Sequence, residues 1–184
     1  MQAIREDHPL KRLFSGLIEQ AFMSDLGICS PELTDYLSNL LVSFVHVDRI
    51  DAIRDAEGRR LDQVGAMLAA LDDGPVPQVE EHNRLVHRHI GDYALFWAGV
   101  YPERFAQLRR RPTYRDHVID YVAQGKRSYA IASDLTHEDC LPPAWLLNRL
   151  SHEFESCVHG LQAVRHGWEQ RDPASWHESH ELLY

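Results

Sequence analysis

Apolar residues at helical spacing recur along this chain, and no convincing stretch alternates apolar and polar residues as a β-strand does. Between residues 10 and 22 they fall at i, i+3, i+4, i+7 and i+8, which places them on one face of a helix. Because such faces are buried only by packing on one another, we predict an all-α fold. The expected architecture is a single-domain helical bundle of about five long and one or two short helices over 1–171, followed by a polar C-terminal tail at 172–184.

Proline, glycine and capping residues suggest where several helices begin and end. Gly27 is expected to end the first helix, and Pro142 with Pro143 to start the last long one. Thr113 is followed three residues later by an aspartate, which resembles a capping box with Asp in place of Glu. We therefore predict a helix over 113–134, preceded by one over 79–100.

Charge and cysteine content exclude several classes of protein. The net charge of -9 argues against a general nucleic-acid binder. No apolar run approaches the roughly 18 residues that span a bilayer, and charged residues occupy the place of a secretory h-region. The three cysteines are far apart and favour free thiols in a reducing compartment. We expect a cytoplasmic protein that binds neither nucleic acid nor membrane.

One crowded segment, Arg84–Glu103, combines histidines, aromatics, an aspartate and two glycines. Such a mixture is typical either of a closely packed core helix or of the wall of a binding site, and both interpretations stay open. Gly91, Gly99 and Gly125 each lie inside a helical pattern, where glycine costs up to about 1 kcal/mol relative to alanine. They predict a close helix crossing in which Gly91 or Gly99 faces Gly125, or else backbone cleared for a ligand.

This segment belongs to a stretch of net positive charge in an acidic chain. Residues 84–127 carry a formal charge of +5 and the remainder carries -14. Arg88 with Lys126 and Arg127 would suit an anionic small molecule, although Arg88 is also placed for an ordinary ion pair with Asp92. The aromatic residues would suit a flat ligand or simply the core. The ligand-binding candidates are Arg88, His89, Asp92, Trp97, Tyr121, Lys126 and Tyr129.

Twelve histidines in a helical chain raise the question of a metal. No Glu-x-x-His or His-Glu-x-x-His motif occurs, and no nucleophile elbow is recognisable. A looser mixed ligand set is conceivable, although a histidine on an apolar face is more often a hydrogen-bonded core residue. The cofactor and any catalytic residue remain unknown. The metal candidates are His46, His89, Asp92, Glu155 and His159.

Two segments resemble a pattern found in bacterial proteins of unknown activity. A Gly-Asp-x-x-Leu-Phe-x-x-Gly helix, matched over 91–99, is followed by a Tyr-x-x-x-Gly-x-x-x-Tyr helix, matched over 121–129. The segment at 36–50 is also similar, so the resemblance covers roughly residues 10–135. It implies an all-helical intracellular protein and brings no activity, substrate or cofactor.

Three functions remain open at this point. The first is a non-catalytic binding or interaction module with a protein partner or a homodimer, which the lack of a complete catalytic motif favours. The second is a small-molecule or anion-binding protein, whether or not an enzyme, with a pocket between the helices at 79–100 and 113–134. The third is a metal-dependent helical enzyme.

Overall fold

The computed structural model describes residues 9–45, 64–69, 71, 77–103 and 120–177, and these residues contain helices, turns and no strand. The predicted all-α fold is therefore confirmed. None of the helices in these ranges is long and apolar enough to cross a bilayer. The elements are α1 (Pro9–Glu19), a π-helix (Gln20–Asp25), α2 (Pro31–Val45), α3 (Val64–Ala69), α4 (Pro77–Val100), α5 (Tyr121–Asp134), α6 (Ala144–His152) and α7 (Phe154–Arg171).

The first helical stretch ends at Gly27, as predicted. The π-helix follows α1 directly, and Leu26 donates its N–H to the carbonyl of Ala21 at 3.1 Å. Gly27 has a φ of 68°, in the left-handed region that a side chain disfavours. This turn brings the N–H of Ile28 to within 2.8 Å of the Phe22 carbonyl, so orphan carbonyls at the helix end are satisfied.

Helix α4 is the centre of the molecule. It packs against α5 and α7, with further contacts to α2 and α3. Its first turns carry exposed residues, but almost every side chain from His89 to Tyr101 is buried. A helix that is covered on all sides cannot show a polar face, which explains why this segment is so rich in aromatic and small residues.

The α4–α5 crossing confirms the close approach but not the predicted glycine pairing. A Cβ at Gly91 would lie 2.7 Å from Cδ1 of Tyr129, and one at Gly125 would lie 2.6 Å from Cζ of Phe154 and 2.9 Å from Cβ of Ala94. The third glycine, Gly99, faces a leucine of α7. Each glycine thus receives a larger side chain from a neighbouring helix, and the expectation that Gly91 or Gly99 faces Gly125 was wrong.

The predicted start of α5 was also wrong. The helix begins at Tyr121 because Asp120 caps it in an extended conformation. The Asp120 carboxylate accepts hydrogen bonds from the N–H groups of Val122 and Ala123 at 3.0 and 3.1 Å. A continuous helix over 113–134 is therefore interrupted at residue 120. Thr113 itself lies outside the described residues.

The last long helix is divided in two at Glu153. Ala144–His152 and Phe154–Arg171 are separate helices. Glu153 nevertheless donates its N–H to the Arg149 carbonyl at 2.8 Å, and its own carbonyl accepts from the N–H of Cys157 at 2.9 Å. The apolar stripe continues across the break, since Leu150 and Phe154 are four residues apart and both fully buried. Periodicity therefore could not reveal this interruption.

The start of the predicted polar tail docks on the bundle. Residues 173–177 are helical, and Trp176 is buried. Its ring stacks on Tyr101 at a centroid distance of 5.1 Å and meets Trp168 edge-on at 5.0 Å. The guanidinium of Arg165 lies 5.2 Å from the Trp176 ring centroid. This aromatic contact fixes the chain beyond α7, while residues 178–184 lie outside the described part.

Candidate functional site

The most concentrated polar arrangement in the described structure surrounds Asp92, on α4. Tyr36 from α2 and Tyr129 from α5 both donate their hydroxyl groups to Oδ1 of Asp92, the latter at 2.8 Å. Arg88, one turn earlier on α4, places Nε 3.7 Å from Oδ2. Asp92 is 7% exposed and Tyr129 is fully buried. We call these four residues the Asp92 cluster; it joins three helices through one carboxylate.

The electrostatics of the Asp92 cluster keep its groups in the states that bind one another. Burial, and then the negative charge of Asp92, raise the pKa of both Tyr36 and Tyr129 well above the ordinary value, so both hydroxyls remain protonated donors. Burial lowers the pKa of Arg88, but Asp92 and the tyrosines outweigh it and the net shift is upward. The ion pair that sequence spacing suggested between Arg88 and Asp92 is thus present, and the cluster is internally paired.

The other residues predicted for a ligand site on this side of α4 belong to the core. Trp97 and Tyr121 are buried, and each lies next to Tyr93 with ring centroids 6.0 and 6.3 Å away. His89 stacks on Phe44 at 5.9 Å. The space between α4 and α5 is filled at Gly91 and Gly125 by neighbouring side chains.

Lys126 lies apart from the Asp92 cluster. Its Nζ is 2.7 Å from Oε1 of Glu155, in a largely exposed pair between α5 and α7. Arg88 and Lys126, which were predicted to bind an anion together, therefore form two separate ion pairs, each with its own carboxylate. An incoming anion would have to displace a carboxylate at either position.

The structure does not assemble the predicted metal ligands. His89 and Asp92 are buried on α4, whereas Glu155 and His159 are exposed on α7. His46 lies outside the described residues. Among the residues that are described, no group of three or more His, Cys, Asp or Glu side chains could hold a metal ion.

A different feature was not anticipated from the sequence: large apolar side chains at the surface where α4 meets the α5–α6 loop. Leu141 is 80% exposed, Trp145 is 51% exposed and Leu85 is 45% exposed. Leu85 lies on α4, Leu141 in the loop, and Trp145 in the first turn of α6. We call these three residues the corner patch.

Hydrogen bonds hold the loop that presents Leu141. Arg88 donates from Nη1 to the Leu141 carbonyl at 3.4 Å, which brings this loop against the side chain of Arg88, three residues after Leu85 on α4. Ser133 Oγ donates to the Ala144 carbonyl at 2.8 Å, and Cys140 donates its N–H to the carbonyl of His137 at 3.0 Å. Leu141 is therefore exposed on a loop that hydrogen bonds attach to the neighbouring helices.

A buried arginine lies beneath this corner. Arg84 is 4% exposed, and its Nε and Nη2 each donate to the carboxylate of Glu81 at 2.7 Å. That hydrogen bond is the main reason for the lowered pKa of Glu81, to which His137 and Arg88 also contribute. The first turns of α4 and the loop around residue 137 are thus neighbours.

Two sequence signals could have revealed these residues. Trp145 is two positions from the buried Leu147, so it lies about 200° around a helix from the apolar stripe. Leu141 precedes two prolines in a connector, a position with no helical face to bury it. No comparable local signal connects Tyr36 with Asp92.

Comparisons with known protein families, curated proteins and solved structures found no match. The resemblance to the bacterial helical pattern remains a prediction. The geometry of the described residues therefore supplies the support for any proposal about function.

Proposed function

We propose that this protein is a non-catalytic interaction module that binds a protein partner through the corner patch. The observation that carries the proposal is the joint exposure of Leu85, Leu141 and Trp145 where α4 meets the loop that leads into α6. Large apolar side chains gathered on a surface mark binding sites more often than isolated ones do. Tryptophan in particular is enriched among the residues that dominate binding energy.

The state of the other candidate residues supports the same proposal. Asp92 accepts from two tyrosines and pairs with Arg88, while Lys126 pairs with Glu155. These groups are paired with other side chains of the same chain and offer little to a substrate without first losing those partners. Burial raises the pKa of the Cys157 thiol to about 12, so this cysteine is a poor nucleophile at neutral pH.

The proposal is tested by affinity capture from an extract of the host cell with three forms of the purified protein. The forms are the wild type, the double variant Leu141→Ser with Trp145→Ser, and Met23→Ser as a matched control. Met23 is a large apolar residue that is 36% exposed on the π-helix, away from the corner patch. We expect a partner that the wild type and the control retain and the double variant loses.

Equal capture by all three forms would contradict the proposal. Native mass spectrometry on gently purified protein supplies the opposing test. A stoichiometric small molecule that is retained by the wild type and lost on Asp92→Asn would favour a ligand-binding protein at the Asp92 cluster instead.

A further inference from the structure

The edge of the corner patch is acidic. Glu138 and Asp139 are exposed in the loop just before Leu141, and the side chain of Glu81 on α4 is 50% exposed. Among the described residues no cation forms an ion pair with Glu138 or Asp139. The nearby cations Arg84, Arg88 and Arg149 are already paired with Glu81, Asp92 and Glu153. The patch therefore combines apolar anchors with two exposed carboxylates, those of Glu138 and Asp139, that pair with no cation in the part of the chain that the structure describes.

The backbone around the patch restricts how a partner segment can dock. The exposed residues lie on two helices and a short loop, and the described part of the chain has no sheet edge to pair with. A helix surface offers no row of free N–H and C=O groups, so an extended segment would gain no backbone hydrogen bonds from this surface. A helical segment satisfies them internally and presents a stripe of side chains instead.

We propose that the corner patch binds a basic amphipathic helix of a partner protein. Its apolar stripe covers Leu85, Leu141 and Trp145, and its Lys or Arg side chains lie over Glu138 and Asp139. The inference rests on the proposed function and specifies the chemistry of the partner at the same surface. The acidic edge also repels the phosphates of nucleic acids and of anionic lipids, which sets a protein segment apart from those partners.

Two synthetic peptides test this proposal directly. Both carry leucines at i, i+3, i+4 and i+7, and they differ only in a polar face made of lysine or of glutamate. In titration calorimetry we expect the lysine peptide to bind the wild-type protein at least about tenfold more tightly than the glutamate peptide does. Its affinity should fall as salt is added, because exposed charges are screened.

Variants of the protein locate the binding. Glu138→Lys with Asp139→Lys is expected to reverse the preference between the two peptides. Trp145→Ser is expected to weaken the binding of the lysine peptide at least about tenfold, and Met23→Ser is expected to leave its affinity unchanged. Circular dichroism and thermal melting confirm that each variant is folded, which is expected because all four positions are exposed.

The outcomes separate this inference from the proposed function. If the peptides bind equally and Trp145→Ser abolishes both, the inference is overturned while the interaction module stands. If neither peptide binds, or if Trp145→Ser does not change the affinity, the inference is also overturned. The capture experiment then tests the interaction module independently. If sedimentation shows a dimer of the wild type that Trp145→Ser dissociates, a second copy occupies the patch and the basic helix is rejected.

Discussion

The Asp92 cluster and the corner patch both include residues of α4 and use opposite chemistry. In the Asp92 cluster, polar and charged groups that are largely withdrawn from solvent bind one another, and neighbouring side chains fill the space at Gly91 and Gly125 of the α4–α5 crossing. At the corner, apolar side chains are left at the surface, and Glu138 and Asp139 pair with no cation among the described residues. The Asp92 cluster, in the region that looks chemically rich in sequence, is thus internally paired, whereas the corner patch has groups that remain available.

This contrast assigns different roles to the two sets of residues. The Asp92 cluster is expected to determine stability, because its groups lose partners when altered. The corner patch is expected to determine binding, because its groups have few partners to lose. Mutations that change stability without changing binding, or binding without stability, would support this division of roles. Mutations that change both together would contradict it.

The largest loss of stability is expected from Asp92→Asn. The substitution removes the charge that compensates Arg88, whose side chain is only 17% exposed, and weakens the acceptor for two tyrosine hydroxyls. We expect the free energy of unfolding to fall by about 3 kcal/mol in chemical denaturation. Asp35→Asn on α2 is the control, since the Asp35 side chain is 66% exposed, and it should change stability by less than about 0.5 kcal/mol. Equal effects at both positions would show that the Asp92 cluster is not a structural centre.

A smaller loss is expected from Gly125→Ala at the helix crossing. The added Cβ would lie 2.6 Å from Cζ of Phe154 on α7 and 2.9 Å from Cβ of Ala94 on α4, so α5 must move away from both helices. We expect a destabilisation of about 2 kcal/mol from such overpacking. Gly16→Ala is the matched control, because Gly16 is an exposed residue of α1 with nothing within 4 Å of an added Cβ. It should stabilise the protein by up to about 1 kcal/mol in the same denaturation experiment, through helix propensity alone. If both alanines had the same sign, the tight crossing would be disproved.

A pH-dependent loss of stability is expected from His87, which is buried on α4 and whose Nδ1 has no hydrogen-bond partner among the described residues. Burial, and to a lesser degree the charge of Arg127, lower the pKa of this imidazole in the folded protein. Its neutral form is therefore favoured by folding, and the associated stability is present above pH 6.5 and lost as the pH falls towards the folded-state pKa. This one group contributes a slope of at most about 1.4 kcal/mol per pH unit.

The variant His87→Met isolates that contribution from the other histidines. We expect its free energy of unfolding to depend less on pH than that of the wild type below pH 6.5, as measured by denaturation at several pH values. Parallel curves for the two proteins would mean that His87 titrates alike in the folded and unfolded states.

The smallest effect on stability is expected at the corner patch. Leu141→Ser with Trp145→Ser removes side chains that are mostly or half exposed, so the free energy of unfolding should change by less than about 0.5 kcal/mol per substitution. Partner binding, measured by the capture experiment, should be lost in the same variant. A destabilisation as large as that of Asp92→Asn would show that these residues serve the fold rather than a partner.

The fold class and most helices could be predicted from periodicity, because a helix that buries one face repeats its apolar residues every three to four positions. The errors have local physical causes. The capping box suggested at Thr113 did not indicate that Asp120 caps α5, and the stripe from Leu150 to Phe154 hides the break at Glu153. At the candidate site, the ion pair between Arg88 and Asp92 was predictable from a spacing of four residues.

By itself, the sequence determined an all-α protein in which one helix is dense in aromatic and small residues. The tertiary structure alone decided that Tyr36, 56 residues away, donates to Asp92, and that Tyr129 fills the space at Gly91. It also decided that Leu85 stays at the surface of α4 while the neighbouring Val86 is buried. The physical reason is that hydrogen-bond partners and solvent exposure depend on which elements pack together, and contacts between distant segments leave no periodic trace in a single chain.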